Sequence, residues 1–183
     1  MATITAYHVV TDRPMTVGQH IVFDENHHSG VYSRVKALAD VAAEALAHPD
    51  KYPLPLEHHL SVALRELAME EVRQARYAQY PSRMACLYVS GTLKEARRWG
   101  QFFSRIGRPT YAIVEIRTAG RVFVGDACNC FDGTPDKSIN LAKADHYWQN
   151  LPNDEGEPVQ EMLVDGEIEV VRIVEEINAN LSV

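Results

Sequence analysis

Three short stretches of this chain hold residue types that do chemistry when brought together. Tyr7-His8 lies inside an alternating apolar run near the N-terminus. An imidazole there can hydrogen-bond a hydroxyl and titrate near neutral pH. Tyr88 lies inside the apolar run Met84–Ser90, where its ring offers a stacking face. Glu161 opens the run Glu161-Met162-Leu163-Val164-Asp165-Gly166. A carboxylate at such a position can accept a hydrogen bond from a hydroxyl or stabilise a growing positive charge. Taken singly, each also reads as ordinary architecture: a hydrogen-bonded half-buried histidine, a core tyrosine, a strand-edge charge. Asp126, directly after Val122-Phe123-Val124-Gly125, is a rival for the carboxylate role.

Other groupings are weaker. Cys128-x-Cys130 with His146 is one tight cysteine pair and a distant histidine. Structural zinc wants two ligand pairs at gaps of two to four residues. The pair is expected to pack in the turn after a strand, and no metal is expected. His27-His28 and His58-His59 are adjacent pairs, and neighbours on a helix or strand point apart. The chain has no GxGxxG, no phosphate-cradling GKS or GKT loop and no GxSxG elbow.

The elements that must position these residues follow from hydrophobic periodicity. Ala2–Val10 alternates as a half-buried strand does, and Asp12-Arg13-Pro14 ends it. His20–Phe23 is a short extended piece, and Asp24–Gly30 a polar loop. Val31, Val35, Leu38, Ala42 and Ala45 recur at helical steps and predict one helix closed by Pro49. Leu60, Leu64, Leu67 and Val72 predict a second, with Glu70, Glu71, Arg73 and Arg76 facing water. Met84–Ser90 reads as a buried strand. Thr92-Leu93-Lys94-Glu95 is a capping box opening a helix whose inner face carries Leu93, Ala96, Trp99 or Gly100, and Phe103. Gly107 stops it. Thr110–Ile116 and Arg121–Gly125 are strands around Ala119-Gly120, and Ser138–Trp148 is a short helix. Gln160–Val164 and Glu167–Val174 are strands around an Asp165-Gly166 hairpin signal. This order predicts an α+β domain with a mostly antiparallel sheet.

The chain of 183 residues is long enough for one domain with a sizeable core. Its hydrophobic fraction of 46% and charged fraction of 23% exclude a disordered or fibrous chain. A net charge of −7 argues against a large nucleic-acid footprint or an anionic membrane surface. Three cysteines at poor spacing suit a reducing cytoplasm. No signal peptide and no membrane span are expected.

Together, the three chemical stretches resemble the ADP-ribosyltransferase superfamily. The likeness is to the His-Tyr-Glu branch, which includes diphtheria-type toxins and poly(ADP-ribose) polymerases. It rests on Tyr7-His8 in the first strand, on an aromatic-Val-Ser strand leading into Thr92-Leu93-x-x-Ala96, and on a late Glu-x-Leu-Val strand. The run from Cys86 to Gly100 is similar to the second motif of small bacterial rifampin ADP-ribosyltransferases, in Tyr88, Thr92-Leu93, Ala96 and Trp99-Gly100. The resemblance covers residues 4–23, 84–117 and 157–174. It leaves out the helices between Val31 and Tyr77 and the stretch from Cys128 to Asn150.

The resemblance implies a single ADP-ribosyltransferase-like domain, a split antiparallel sheet with flanking helices, and a helical insertion at about residues 31–80. It implies an NAD-dependent mono-ADP-ribosyltransferase, a glycosyltransferase that breaks the nicotinamide–ribose bond. His8 would bond the adenosine ribose and Tyr88 would stack on nicotinamide. Glu161 would hold the 2′-hydroxyl of the nicotinamide ribose and stabilise the oxocarbenium-like transition state. Ala96 would sit against nicotinamide, and Arg13 would reach the pyrophosphate by charge. Many relatives have glycine where Val9 follows the histidine, and its backbone would meet the nicotinamide amide. Val159 stands where arginine-modifying relatives have a first glutamate, which argues against an arginine acceptor. The implied partners are NAD and a protein or nucleic-acid acceptor. A toxin or defence role would add a neutralising protein. The alternatives are an RNA 2′-phosphotransferase, for which the chain lacks a basic stripe, and a non-catalytic module of the same fold.

Overall fold

In the computed structural model, which describes residues 3–177, alternation becomes strands and the apolar stripes become helices. The fold is α+β, with two open antiparallel sheets. One sheet has four strands: β1 (Ile4–Thr11), β4 (Thr110–Thr118), β7 (Gly166–Glu176) and β2 (His20–Phe23), in that spatial order. The other has three: β3 (Leu87–Val89), β6 (Gln160–Val164) and β5 (Val122–Asp126), again in spatial order. The helices are α1 (Gly30–Ala37), α2 (Ala39–Ala47), α3 (His58–Arg76), α4 (Leu93–Arg105) and α5 (Lys137–Trp148).

Each strand's period of two sorts its side chains between two cores. Ala6, Val10, Val114, Ile116, Ile168 and Val170 of the four-stranded sheet pack against Leu87, Val89, Met162 and Val164 of the three-stranded one. Behind the four-stranded sheet, Val9 and Ile113 meet Ala96 under α4. Behind the three-stranded sheet, Phe123 and Leu163 meet Met69, Tyr147 and Trp148 of α3 and α5. Tyr147 and Trp148 are fully buried, as a core role requires.

Two sheets stand where the element order alone predicts one. Asp165-Gly166 does not close a hairpin: β6 pairs with β3 and β5, whereas β7 pairs with β4 and β2. The chain crosses from one sheet to the other there, and again at Ala119-Gly120 between β4 and β5. The two crossings lock together. Asp165 accepts from the Arg121 backbone N–H and the Arg121 Nε, both at 2.7 Å, and Thr118 Oγ1 donates to the Asp165 carbonyl at 2.9 Å. A Cβ at position 120 would lie 1.9 Å from that carbonyl oxygen, so only glycine fits. Gly166 takes the positive φ, +76°, that turns the chain into β7.

Three local readings also change. The helix predicted across Val31–Ala45 is broken at Leu38, whose ψ is 8°. No proline or glycine forces the break; Ala42 and Ala45 of α2 instead pack on Leu60 and Leu64 of α3. Within Met84–Ser90 only Leu87–Val89 is strand, because Ala85 N–H bonds the Ser82 carbonyl in a turn. Glu71 and Arg76 face water, but Glu70 and Arg73 fold inward as a bidentate pair, at 3.0 and 2.8 Å. The Thr92 capping box forms with both reciprocal bonds, each 3.2 Å. Gly107 ends α4's last turn with φ +77°. No helix among the described residues is long and apolar enough to cross a membrane.

Candidate functional site

The two sheets touch edge to edge at one place. β1 and β3 form a single bridge, in which Tyr7 and Ser90 exchange both backbone hydrogen bonds, at 2.9 and 2.7 Å. Beyond it the strands part, and the half-buried His8 ring fills the gap. His8 Nδ1 donates to the Tyr88 carbonyl at 2.8 Å. A carbonyl only accepts, so Nδ1 carries the hydrogen and Nε2 keeps a free lone pair. Burial pulls the His8 pKa down to about 4; the Tyr88 carbonyl opposes the shift and the Arg108 charge adds to it. The ring is therefore a neutral hydrogen-bond acceptor at physiological pH.

Tyr88 and Glu161 share the α3- and α5-facing side of the three-stranded sheet. Tyr88 pairs with Leu163 in register, and Glu161 lies two residues before Leu163 on the same strand. Both side chains contact Arg83, a residue with no short motif around it. The Arg83 guanidinium lies 5.4 Å from the Tyr88 ring centroid and 4.9 Å from that of Tyr147. Its Nη1 donates to Glu161 Oε1 at 2.7 Å and to the Tyr147 hydroxyl at 2.6 Å. The Tyr147 hydroxyl donates in turn to Glu161 Oε1 at 2.6 Å. On its other edge Arg83 Nε donates to Glu66 Oε2 at 3.0 Å, and Arg65 Nε donates to Glu66 Oε1 at 3.0 Å.

Arg83 and Glu66 are 5% and 2% exposed, so their pairing is what makes burial tolerable. Burial alone would raise the Glu66 carboxyl, but the Arg83 and Arg65 guanidiniums outweigh it and hold it below the usual range. Burial lifts the Tyr88 and Tyr147 phenols well above 10 despite Arg83, so both keep their protons. Burial likewise raises the Cys86 and Cys130 thiols, which removes them as nucleophiles. Glu161 Oε1 is thus fixed by two donors, while Oε2 has no hydrogen-bond partner among the described residues.

Asp126 is built differently. Its Oδ1 accepts from the Cys128 and Val159 N–H groups at 3.0 and 2.9 Å, and its Oδ2 accepts from the Asn153 amide. These bonds outweigh burial and hold its carboxyl low. Both oxygens are spent on tying the loop after β5 to the loop before β6.

The structure brings the Tyr88 and Glu161 side chains together at Arg83, whereas the His8 ring reaches only the Tyr88 backbone carbonyl. The side chains of Ala96 and Val9 pack beneath α4, on the opposite face of β1 from His8; the backbone of Val9, two residues beyond the Tyr7 bridge, faces the same strand edge as that of Tyr7. Arg13 is exposed just past β1. A cavity of about 520 Å³ is lined by Cys128, Cys130, Asp132, Lys143 and His146 among others, and not by His8, Tyr88 or Glu161. No group of three or more metal-ligating side chains occurs among the described residues.

Sequence reading missed Arg83, Glu66 and Tyr147 as a charged unit. Glu66 left a trace, because it falls between Ala63 and Met69 on the buried face of α3, where an acid demands a partner. Arg83 left none, because its contacts are 17 residues and more away in sequence.

The molecule is thus an α+β protein of two joined antiparallel sheets, with a buried arginine–carboxylate–tyrosine cluster beside the seam. It belongs to the family described as a protein of unknown function (DUF2441), whose model matches residues 6–176. A comparison with curated proteins found no match.

Proposed function

We propose that this protein is an NAD-dependent ADP-ribosyltransferase with a split-sheet fold of that superfamily. One observation carries the reading: the Tyr88 and Glu161 side chains meet at Arg83, beside the bridge between β1 and β3 where the His8 ring bonds the Tyr88 backbone carbonyl. The fold's division into two antiparallel sheets agrees with the split sheet that the resemblance implies.

In this reading Tyr88 presents its ring to nicotinamide, and the lone pair of His8 Nε2 accepts from a ribose hydroxyl. Glu161 uses its free Oε2 for the 2′-hydroxyl of the nicotinamide ribose. The C1′–N bond breaks and nicotinamide leaves with the bonding electrons. The acceptor's nucleophilic atom then bonds C1′ and releases its proton. Positive charge on the sugar peaks in the transition state, where a preorganised carboxylate acts most strongly. Glu161 is favoured over Asp126 because it keeps an unengaged oxygen. The acceptor is a protein or nucleic acid, and a toxin or defence role with a neutralising partner in the cytoplasm fits this chemistry.

The test is nicotinamide release from NAD, with tagged NAD followed into protein and RNA fractions. Glu161→Gln keeps shape and removes charge; turnover is expected to fall ~10²–10³-fold with little change in NAD affinity. Unchanged turnover in a folded variant refutes the assignment.

A non-catalytic module is the second reading, favoured by the 2.7 Å contact between Arg83 and Glu161. A cation there offsets part of the charge an oxocarbenium would need. The same assay decides: NAD binding without nicotinamide release selects the module.

A further inference from the structure

A second cavity, of about 250 Å³, lies between α1 and α3, in the helical segment outside the resemblance. Val31 and Val35 of α1 contribute apolar wall, and Arg34, His58, His59 and Arg65 contribute every titratable group that lines it. In a chain of net charge −7, two arginines and two histidines line a cavity with no carboxylate in its lining.

The nearby acids are engaged elsewhere. Glu66 is buried and faces Arg83 and Arg65. Glu57 caps α3 by accepting from the Leu60 N–H at 3.1 Å, so the helix terminus is already served. Asp12, whose carboxyl feels the Arg34 charge, is held by Arg108 at 2.7 Å. The guanidinium of Arg34 makes no hydrogen bond or ion pair among the described residues. Arg65 uses Nε on Glu66 and Nη1 on the Phe131 carbonyl, at 3.0 and 3.4 Å, and keeps Nη2 for another acceptor. The unpaired Arg34 guanidinium and the remaining Arg65 Nη2, from facing helices, suit an anion with several oxygens, as phosphate has. The volume lies below that of sites enclosing a drug-sized molecule, so the cavity suits a group and not a whole dinucleotide.

We propose that this cavity is a diphosphate-binding site, with Arg34 and Arg65 as its principal donors and His58 and His59 at its rim. The site stands on its own geometry. The NAD reading supplies one source of a diphosphate, the link between the two nucleosides of NAD; a free nucleoside diphosphate is the other.

The experiment is calorimetric titration of the full chain with inorganic pyrophosphate, followed by competition with NAD and with ADP. Arg34→Gln is the main variant; its side chain is exposed and unpaired, so its thermal melt should match wild type. Pyrophosphate should bind wild type with an affinity that falls as salt is added. Arg34→Gln should weaken it about tenfold, the equivalent of one charge-assisted hydrogen bond. The double variant His58→Gln/His59→Gln should weaken it less. Competition by NAD assigns the site to the dinucleotide, and competition by ADP alone assigns it to a separate nucleotide; both support the site. Absence of pyrophosphate binding, or equal binding by wild type and Arg34→Gln, overturns the proposal. Pyrophosphate binding that persists while NAD is neither bound nor cleaved sinks the NAD reading alone.

Discussion

Replacing Arg83 by methionine removes the one cation that two inward-facing carboxylates share. Glu66, 2% exposed, would keep only Arg65 Nε at 3.0 Å, and Glu161 Oε1 would keep only the Tyr147 hydroxyl at 2.6 Å. Breaking one side of a buried ion pair costs about 3–5 kcal/mol, because the orphaned charge stays desolvated. That is a large part of a typical domain stability of ~5–15 kcal/mol. The loss should depend on pH. Arg83 and Arg65 now hold the Glu66 carboxyl low, so wild type gains stability above the unfolded carboxylate pKa and loses it as pH falls. Without Arg83, burial raises that carboxyl, and acid relieves the strain by protonating it. The deficit of Arg83→Met relative to wild type should therefore be larger at pH 8 than at pH 5. The paired variant Glu66→Gln/Arg83→Met should recover more than half of the loss at pH 8, because no buried charge remains uncompensated. Urea unfolding with a shared m-value reads wild type and both variants. A loss under 1 kcal/mol at pH 8, or a deficit that grows in acid, would refute the view that Arg83 is the keystone of this cluster.

His8 gives a second pH signature. Its pKa falls from 6.5 unfolded to about 4 folded, so its contribution is complete above 6.5 and is lost as pH drops toward 4. The full loss is about 3 kcal/mol at most; His8→Gln should flatten that acid limb in urea melts at pH 7.5 and 4.5. Gly120→Ala would push a methyl into the Asp165 carbonyl and should cost about 2–4 kcal/mol, read as a lowered urea midpoint. A cost under 0.5 kcal/mol would mean that the two crossings are not locked. Asp126→Asn should lower stability by about 1–2 kcal/mol by weakening its N–H bonds, yet leave nicotinamide release in the folded protein within twofold of wild type. Lost turnover there would transfer the carboxylate role from Glu161 to Asp126.

Local chemistry was legible in the sequence and partner choice was not. The Thr92–Glu95 box, the Gly107 stop and the strands at β1 and β4 depend on neighbours within a few residues, and each formed, with Ala2 of the first reading outside the described residues. Asp165-Gly166 was read as a hairpin and is instead a crossing between sheets. Its strands joined different sheets because Gly120 and Arg121, some 45 residues earlier, compete for the same corner. A dipeptide reports backbone geometry and says nothing about which edge the next strand finds. The Leu38 break has the same origin, since α3 decides where α2 points. Of the proposed site, His8, Tyr88 and Glu161 stood out in the sequence because each sits in a patterned strand. Arg83 was not, because it precedes β3 in an irregular turn and its partners come from α3, α5 and β6.

That arginine bears on whether Glu161 can act as a charge. A carboxylate in a private ion pair would have most of its field cancelled, but Arg83 is not private to Glu161. Glu66 takes its Nε and Nη2, at 3.0 and 3.4 Å, leaving Nη1 for Glu161 and Tyr147 together. Glu66 in turn draws Arg65 into the cluster. The charges of Arg83 and Arg65 are thus spread over two carboxylates, and all the donors on Glu161 converge on Oε1. Oε2 is held in a defined direction by bonds made on the other side of the same group. Such an arrangement costs little reorganisation when a positive charge develops beside Oε2, which is the condition under which a fixed carboxylate stabilises a transition state more than a ground state. A structural ion pair has no need of the free oxygen, so Glu161→Gln at constant fold separates the two roles, and Tyr147→Phe, which frees Oε1 from one donor without altering charge, should reduce turnover less than Glu161→Gln does.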